Sequence, residues 1–477
     1  MQRRIRIARA AQERTGQASL AKTLLRYVFP DHWSFLWGEI ALYCFVVLVA
    51  TGVYLALFFD ASSAQTVYHG SYAPLRGQKM SEAYRSVIDL SFSVKAGLLM
   101  RQTHHWAANV FIAAIVMHML RVFFTGAYRK PREIIWYLGV TMFSIAMLEG
   151  YLGYSLIDDL ISGMGLVIGW SVLMSVPLVG GPAASLLWGG PFPGDASFES
   201  RLYIAHVLLI PGLLAVLISA HLLFIALLRH TQFAGPGRTQ QNVLGSPLWP
   251  TYAPRSLGLF CATAGVLFML GGLVQVNPVW LWGPYHTYVA ENGAQPDWYI
   301  GWLIGALRTV PNVEPVVGGV TVVPNPFWGG VLFPTVVIGL LYAWPTIEKV
   351  VSGDRQSHHL LDRPRDAPWR TAFGAAFLTW VMTPFFEAAG DRLYVQFDVP
   401  YQTQVDVFRV LWVVAPLVAF AVTYRTCRAL ARSGGHPLRT QPPTLVRRGV
   451  AGGFDVLDSS HERDHVSDSA AHPPLDD

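Results

Sequence analysis

Eight stretches of mostly apolar residues divide this chain, at 37–58, 103–124, 134–155, 204–228, 256–277, 327–347, 370–389 and 406–425. A helix of about 20 such residues spans the hydrocarbon core of a bilayer. Inside lipid every backbone N–H and C=O must find an internal partner, which leaves helices or closed barrels. Composition agrees, with 52% of the 477 residues hydrophobic and only 14% charged, against about 25% charged in soluble domains. The expected fold is an all-α integral membrane protein with eight transmembrane helices.

The formal charge is +5, but its distribution argues against a nucleic-acid partner. Sorting by side, 26 Lys and Arg fall on the face that carries both termini and 9 elsewhere. Positive charge marks the cytoplasmic side, so both termini are expected in the cytoplasm and the chain in the cell membrane. The N-terminal arginines lead into polar residues with no cleavage site, so no signal peptide is expected. Segment 160–190 is apolar but rich in Gly and Pro. A span there would push the basic 229–255 loop outside, so a surface or re-entrant hairpin is expected. The 278–326 connection is long enough to suggest a functional loop. Residues 431–477 turn polar and read as a disordered cytoplasmic tail.

Two of the apolar segments carry paired histidines: His104 with His118, and His206 with His221. Ionisable groups at membrane depth are expensive and usually functional. Fourteen residues is nearly four helical turns, or about 21 Å, so His104 and His118 share a face near opposite ends of one helix. Fifteen residues leaves an angular drift of about 60° between His206 and His221, which Pro211 is placed to correct by bending the helix. Two parallel helices then present two facing imidazole pairs, each able to clamp one iron axially, and a bis-His haem favours electron transfer. His105 points elsewhere and reads as a bystander. Gly38 and Gly52, and Gly139 and Gly153, repeat the 14-residue spacing in the two helices that would complete a di-haem four-helix bundle. A missing side chain lets a flat porphyrin approach. Arg101 and Arg121 flank the ligands and suit propionates. Cys44, Cys261 and Cys427 form no CxxC or CxxCH, so no covalent c-type haem and no iron–sulfur cluster is expected in this chain.

RQTHHWAANVFIAAIVMHMLR resembles the second helix of cytochrome b from bc-type quinol–cytochrome c reductases. CFVVLVATG is similar to the chloroplast-type members. Pro296-Asp297-Trp298-Tyr299 resembles the quinol-site quartet Pro-Glu-Trp-Tyr in an Asp form. GYSLIDDLISG and HTQFAGPGRT resemble the actinobacterial branch. The likeness covers roughly residues 20–430. Leu36 stands where some relatives carry a third-haem cysteine, and Ile157 replaces an expected proline.

The resemblance implies a di-haem bundle at 35–230, a C-terminal membrane domain with a quinol-site loop at 231–430, and an N-terminal cytoplasmic segment at 1–34. It implies that His104 and His206 hold an outer, low-potential b haem, and His118 and His221 an inner, high-potential one. Quinol, expected to be menaquinol, would be oxidised at the outer face. One electron would pass to a Rieske iron–sulfur partner and the other across the haems to quinone at the cytoplasmic face, a Q cycle coupled to proton translocation. A cytochrome c subunit, a homodimer and a terminal oxidase supercomplex are the further implied partners. Asp297 and Tyr299 are the candidate catalytic residues, and Pro296, Trp298 and Gly165 would line the outer pocket. Glu149 and Glu387 lie where proton exit is expected. Asp31, Ser34, Trp37, Arg229 and His230 are candidates at the inner quinone site. Two alternatives are a di-haem anchor of another quinone-linked enzyme and a colourless transporter with structural histidines.

Overall fold

The computed structural model describes residues 25, 27–289 and 297–433, with the backbone of 445–448 and 454–457. Arg3, Arg4, Arg6, Arg9, Arg14, Lys22, Arg26 and Pro296 lie outside the described residues, as does most of the tail. Within the tail Leu445–Arg448 pairs with Phe454–Leu457 as an antiparallel hairpin, so local strand order departs there from the disorder that composition suggested.

Among the described residues seven helices are long and apolar enough to cross a membrane, or eight where the bent pair Pro368–Glu387 and Gly390–Phe397, which turns by 56°, is counted as one span. The helices are α1 (Leu36–Ala56), α2 (Glu82–Phe92), α3 (Gly97–Phe124), α4 (Glu133–Ser155), α5 (Leu160–Met174) and α6 (Gly180–Trp188). They continue with α7 (Phe198–Leu228), α8 (Ala253–Leu273), α9 (Trp298–Thr309), α10 (Phe333–Ser352), α11 (Pro368–Glu387), α12 (Gly390–Phe397) and α13 (Tyr401–Ser433). The 160–190 stretch becomes α5 and α6. At 15 residues α5 is about 22 Å long, short of the ~30 Å a crossing requires, and Gly180 opens α6 after a break.

The four helices α1, α3, α4 and α7 contact one another in a ring, with α8 laid against α1 and α3. Ala41, Cys44, Ala107, Ala114 and Ala146 are buried between them. Small residues let helix backbones close up where lipid gives no hydrophobic drive. The second half pairs α11 along α13 and α9 against α11, around Phe333, Trp380 and Trp412. Two ends can be distinguished: a basic end holding loops 125–132, 229–252 and 353–367, and a far end holding 59–96, 156–203, 274–289 and 297–327.

Specific polar contacts shape both ends. At the far end Asp159 caps α5 by accepting from the Ser162 N–H at 2.8 Å, and Ile157 packs against the buried Tyr68, Met80 and Tyr84 cluster. At the basic end Arg132 donates to the carbonyls of Leu228 (2.8 Å), Arg229 (2.9 Å) and His358 (2.8 Å). Those are acceptors left free at the end of a helix, so one arginine fastens the end of α7 to a distant loop. Arg370 pairs with Glu348 and Asp362, and Glu348 also accepts from Tyr128.

The α7 helix absorbs its phase drift differently from the expectation. Ala205–Leu209 forms a π-turn, with the Ile210 N–H on the Ala205 carbonyl. Pro211 follows in the first turn of the next helical stretch, where its missing N–H costs least. A π-turn accommodates one additional residue, which offsets the extra residue in the His206–His221 spacing.

Candidate functional site

His104 and His206 meet at the far end of the ring, with centroids 6.3 Å apart and planes at 79°. Two metal–imidazole bonds of about 2 Å each fit within that separation. Thr51 on α1 sets the state of His104. Its hydroxyl donates to the Val47 carbonyl at 2.7 Å, so it accepts from His104 Nδ1 at 3.0 Å. That leaves Nε2 as the lone-pair nitrogen, as a metal ligand requires. His206 Nδ1 lies 2.9 Å from Glu149 Oε1, without an aligned hydrogen bond.

His118 and His221 lie at the basic end and line one cavity of about 440 Å³. The Nδ1 atoms of both are buried without a hydrogen-bond partner. The glycines sit where a flat group would need them. A methyl group at Gly38 would lie 3.1 Å from His118 Cε1 and one at Gly52 3.3 Å from His104 Cε1. One at Gly153 would collide with the His206 ring, whereas Gly139 faces open space and lines the cavity.

Arg101 is buried at the far end. Its Nη1 donates to the Asn277 carbonyl at 3.2 Å, while Nε and Nη2 have no partner. Arg121, at the basic end, stacks 3.9 Å over Phe35 and also has Nε and Nη2 buried without a partner. Unpaired buried guanidinium atoms are costly. An acidic group beside each imidazole pair would relieve them. The residues present therefore fit haem: imidazoles, glycine clearances and unsatisfied arginines converge at both ends.

The far-end quinol candidates cluster on α9. Asp297 stands at its N-terminus, and Tyr299, almost fully buried, donates to Asp297 Oδ2 at 3.1 Å. Gly150 on α4 makes room, since a methyl group there would lie 2.6 Å from the Tyr299 hydroxyl. Trp298 is 40% exposed. Gly165 lies on α5, and its carbonyl accepts from Tyr151 at 3.1 Å. Sequence reasoning set His105 aside, yet its Nε2 is 2.8 Å from Asp297 Oδ1. Glu387 is fully buried with neither oxygen hydrogen-bonded.

At the basic end the cavity brings together only some of the named candidates. Arg229 and His230 line it. Burial, followed by Arg121 and Arg132, pushes His230 down to about 4, so its ring is neutral at pH 7. Asp31, Ser34 and Trp37 do not line it. Asp31 accepts from Ser246 at 2.9 Å and faces Arg255 at 3.5 Å. Ser34 donates its N–H to His32 Nδ1 at 3.2 Å, and Trp37 is half-buried on α1. The cavity adds Glu39 and Tyr252, which sequence reasoning missed. Glu39 accepts from Tyr43 at 2.9 Å, from Ser256 at 2.8 Å and from Tyr252. An acid inside the first apolar span was itself a signal.

Comparison with known proteins agrees with this geometry. A family model described as cytochrome b (N-terminal)/b6/petB matches residues 109–284. The chain is 46% identical over 427 residues to the cytochrome bc1 complex cytochrome b subunit of Streptomyces coelicolor, covering 90% of this chain and 78% of that one. It is 45% identical over 472 residues to the same subunit of Mycobacterium tuberculosis, covering 98% and 85%. A solved chain described as hyperthermophilic respiratory complex III shares the fold with a TM-score of 0.64 at 18% identity, covering 88% of this chain and 98% of that one. A multi-pass helical chain with these imidazole pairs and these relatives belongs to the cytochrome b family of bc1-type respiratory complexes.

Proposed function

We propose that this chain is the cytochrome b subunit of a plasma-membrane menaquinol–cytochrome c reductase. Both termini face the cytoplasm, so the basic end is inner and the far end outer. Residues 35–230 form the di-haem bundle and 231–430 the domain that carries the quinol-site helix. His104 and His206 hold the outer b haem non-covalently, and His118 and His221 the inner one. Bound there, the haems supply one-electron carriers between the two faces. The carrying observation is the coincidence of two imidazole pairs with buried, unpartnered atoms of Arg101 and Arg121 at opposite ends of one helix.

The chain's own residues handle position and protons. At the outer face Asp297 accepts a proton from quinol, with Tyr299 bonded to the same carboxylate. At the inner face Arg229 and the neutral His230 bind a quinone carbonyl. Glu39, held by two tyrosines and a serine, passes protons towards it. The proposed partners are a Rieske protein that takes the other electron, a cytochrome c subunit, a second copy of this chain and a terminal oxidase. Menaquinol as substrate rests on the likeness to actinobacterial chains.

A reduced-minus-oxidised spectrum with a haem count tests the reading on the purified complex. Two b haems per chain are expected, and His221→Ala is expected to lose the inner one alone. Loss of only the outer haem refutes the vertical assignment, and a colourless chain refutes haem binding altogether.

A further inference from the structure

We infer that His105 is a positioning residue that holds the Asp297 carboxylate in place for quinol oxidation. The inference rests on the reading of Asp297 as the proton acceptor. The position of Asp297 makes its side-chain choice informative. It is the residue preceding α9, where an aspartate normally accepts from the helix's own first N–H groups. Asp297 makes no such bond. Oδ1 instead takes His105 Nε2 at 2.8 Å and Oδ2 takes the Tyr299 hydroxyl at 3.1 Å. Two side-chain hydrogen bonds to the carboxylate thus replace the one cap bond it forfeits.

Both members are sheltered, with side chains 11% and 14% exposed. An ionised carboxylate only accepts, so Nε2 carries the hydrogen. The backbone behind His105 is fixed. His104 precedes it on α3, and Trp106 donates to the Val274 carbonyl at 2.8 Å, tying α3 to the end of α8. Adjacent residues on a helix point about 100° apart. One turn of α3 thus aims an imidazole into the ring and the next imidazole at the α9 acid. With Oδ1 committed to His105, the free lone pair of Oδ2 is the acceptor presented to a quinol hydroxyl. A misplacement of about 1 Å at a reacting group costs on the order of 100-fold in rate.

The test uses the intact complex and compares His105→Leu, His105→Gln and His105→Asn, each also in an Asp297→Asn background. Haem spectra first establish that both haems are retained. His105→Leu and His105→Asn are expected to lower kcat for quinol oxidation at least tenfold. Glutamine carries an N–H far enough out to replace Nε2, so His105→Gln is expected to restore most of the rate. In the Asp297→Asn background, His105→Leu is expected to cost nothing more. The infrared carboxylate band of Asp297, isolated by subtracting the Asp297→Asn spectrum, is expected to shift in His105→Leu and hold in His105→Gln. Slow Asp297→Asn turnover with His105→Leu at the wild-type rate, or losses that simply add, overturns the inference alone. Wild-type turnover in Asp297→Asn overturns the reading beneath it and removes this role for His105 with it.

Discussion

A metal-ligating histidine usually hydrogen-bonds through its other nitrogen; the far-end pair has a polar neighbour beside each Nδ1, whereas the basic-end pair has none. Thr51 and Glu149 stand beside the Nδ1 atoms of His104 and His206. Neither partner was legible in the sequence, because each comes from a different helix and only packing brings it near. The histidines themselves were legible, since a spacing of about four turns on one helix needs no tertiary information. His105 was misread for the opposite reason: its partner is 192 positions away. Asp158 offers a test at this scale. It sits at the far end in a left-handed conformation (φ 55°). Burial, with a further contribution from Asp159, pushes its carboxyl up to about 6 against the opposing Ser81 hydroxyl. A folded-state pKa above the unfolded value means the folded form holds the proton more tightly. Stability is then greatest below about pH 4 and declines as pH rises through 6. Asparagine tolerates the same backbone without the charge. Asp158→Asn is therefore expected to melt close to the wild type at pH 4 and about 2 °C or more higher at pH 8. Thermal scans of the detergent-solubilised complex at both values check this, and equal melting at pH 8 removes the charge penalty.

Helices α1, α3, α4 and α7 act as a set of matched rulers. Their apolar lengths and small residues were readable because the helical period is fixed, and the glycines at 38, 52, 139 and 153 repeat the histidine interval for the same reason. The π-turn in α7 was not readable, because a proline announces a break in hydrogen bonding without specifying which ring closes around it. The start of α9 was hidden in a stretch that reads as loop, since Trp, Tyr and Gly carry no strong helix preference. Gly38 allows the ruler to be tested. A methyl group there already lies 3.1 Å from His118 Cε1, and a longer branched side chain would fill the space beside that ring. Gly38→Leu is expected to lose the inner haem while the outer one stays, read as loss of half the b-type absorbance. Retention of both haems would show that α1 does not approach the inner porphyrin at that point.

Across the whole molecule the two ends differ in charge and in chemistry. The basic end gathers Arg121, Arg132 and Arg229 around a cavity, whereas the far end buries Asp159 and Glu199 and half-buries Asp158. That the two ends differ in charge was legible in the sequence, because Lys and Arg cluster in particular connections. The cavity was not, because its walls come from α1, α3, α4, α7 and the loop after α7, and no one segment announces it. The assignment of sides has a direct test in exposed positions at opposite ends. Val317 is 69% exposed in the far-end hairpin 316–321, and Arg355 is exposed in the basic-end loop after α10. Val317→Cys in intact cells is expected to react with a membrane-impermeant maleimide above the parent background, and Arg355→Cys only after the cells are opened. The reverse pattern would place quinol oxidation on the cytoplasmic side. Proton release and uptake would then exchange faces, and the chain would work against the gradient assigned to it.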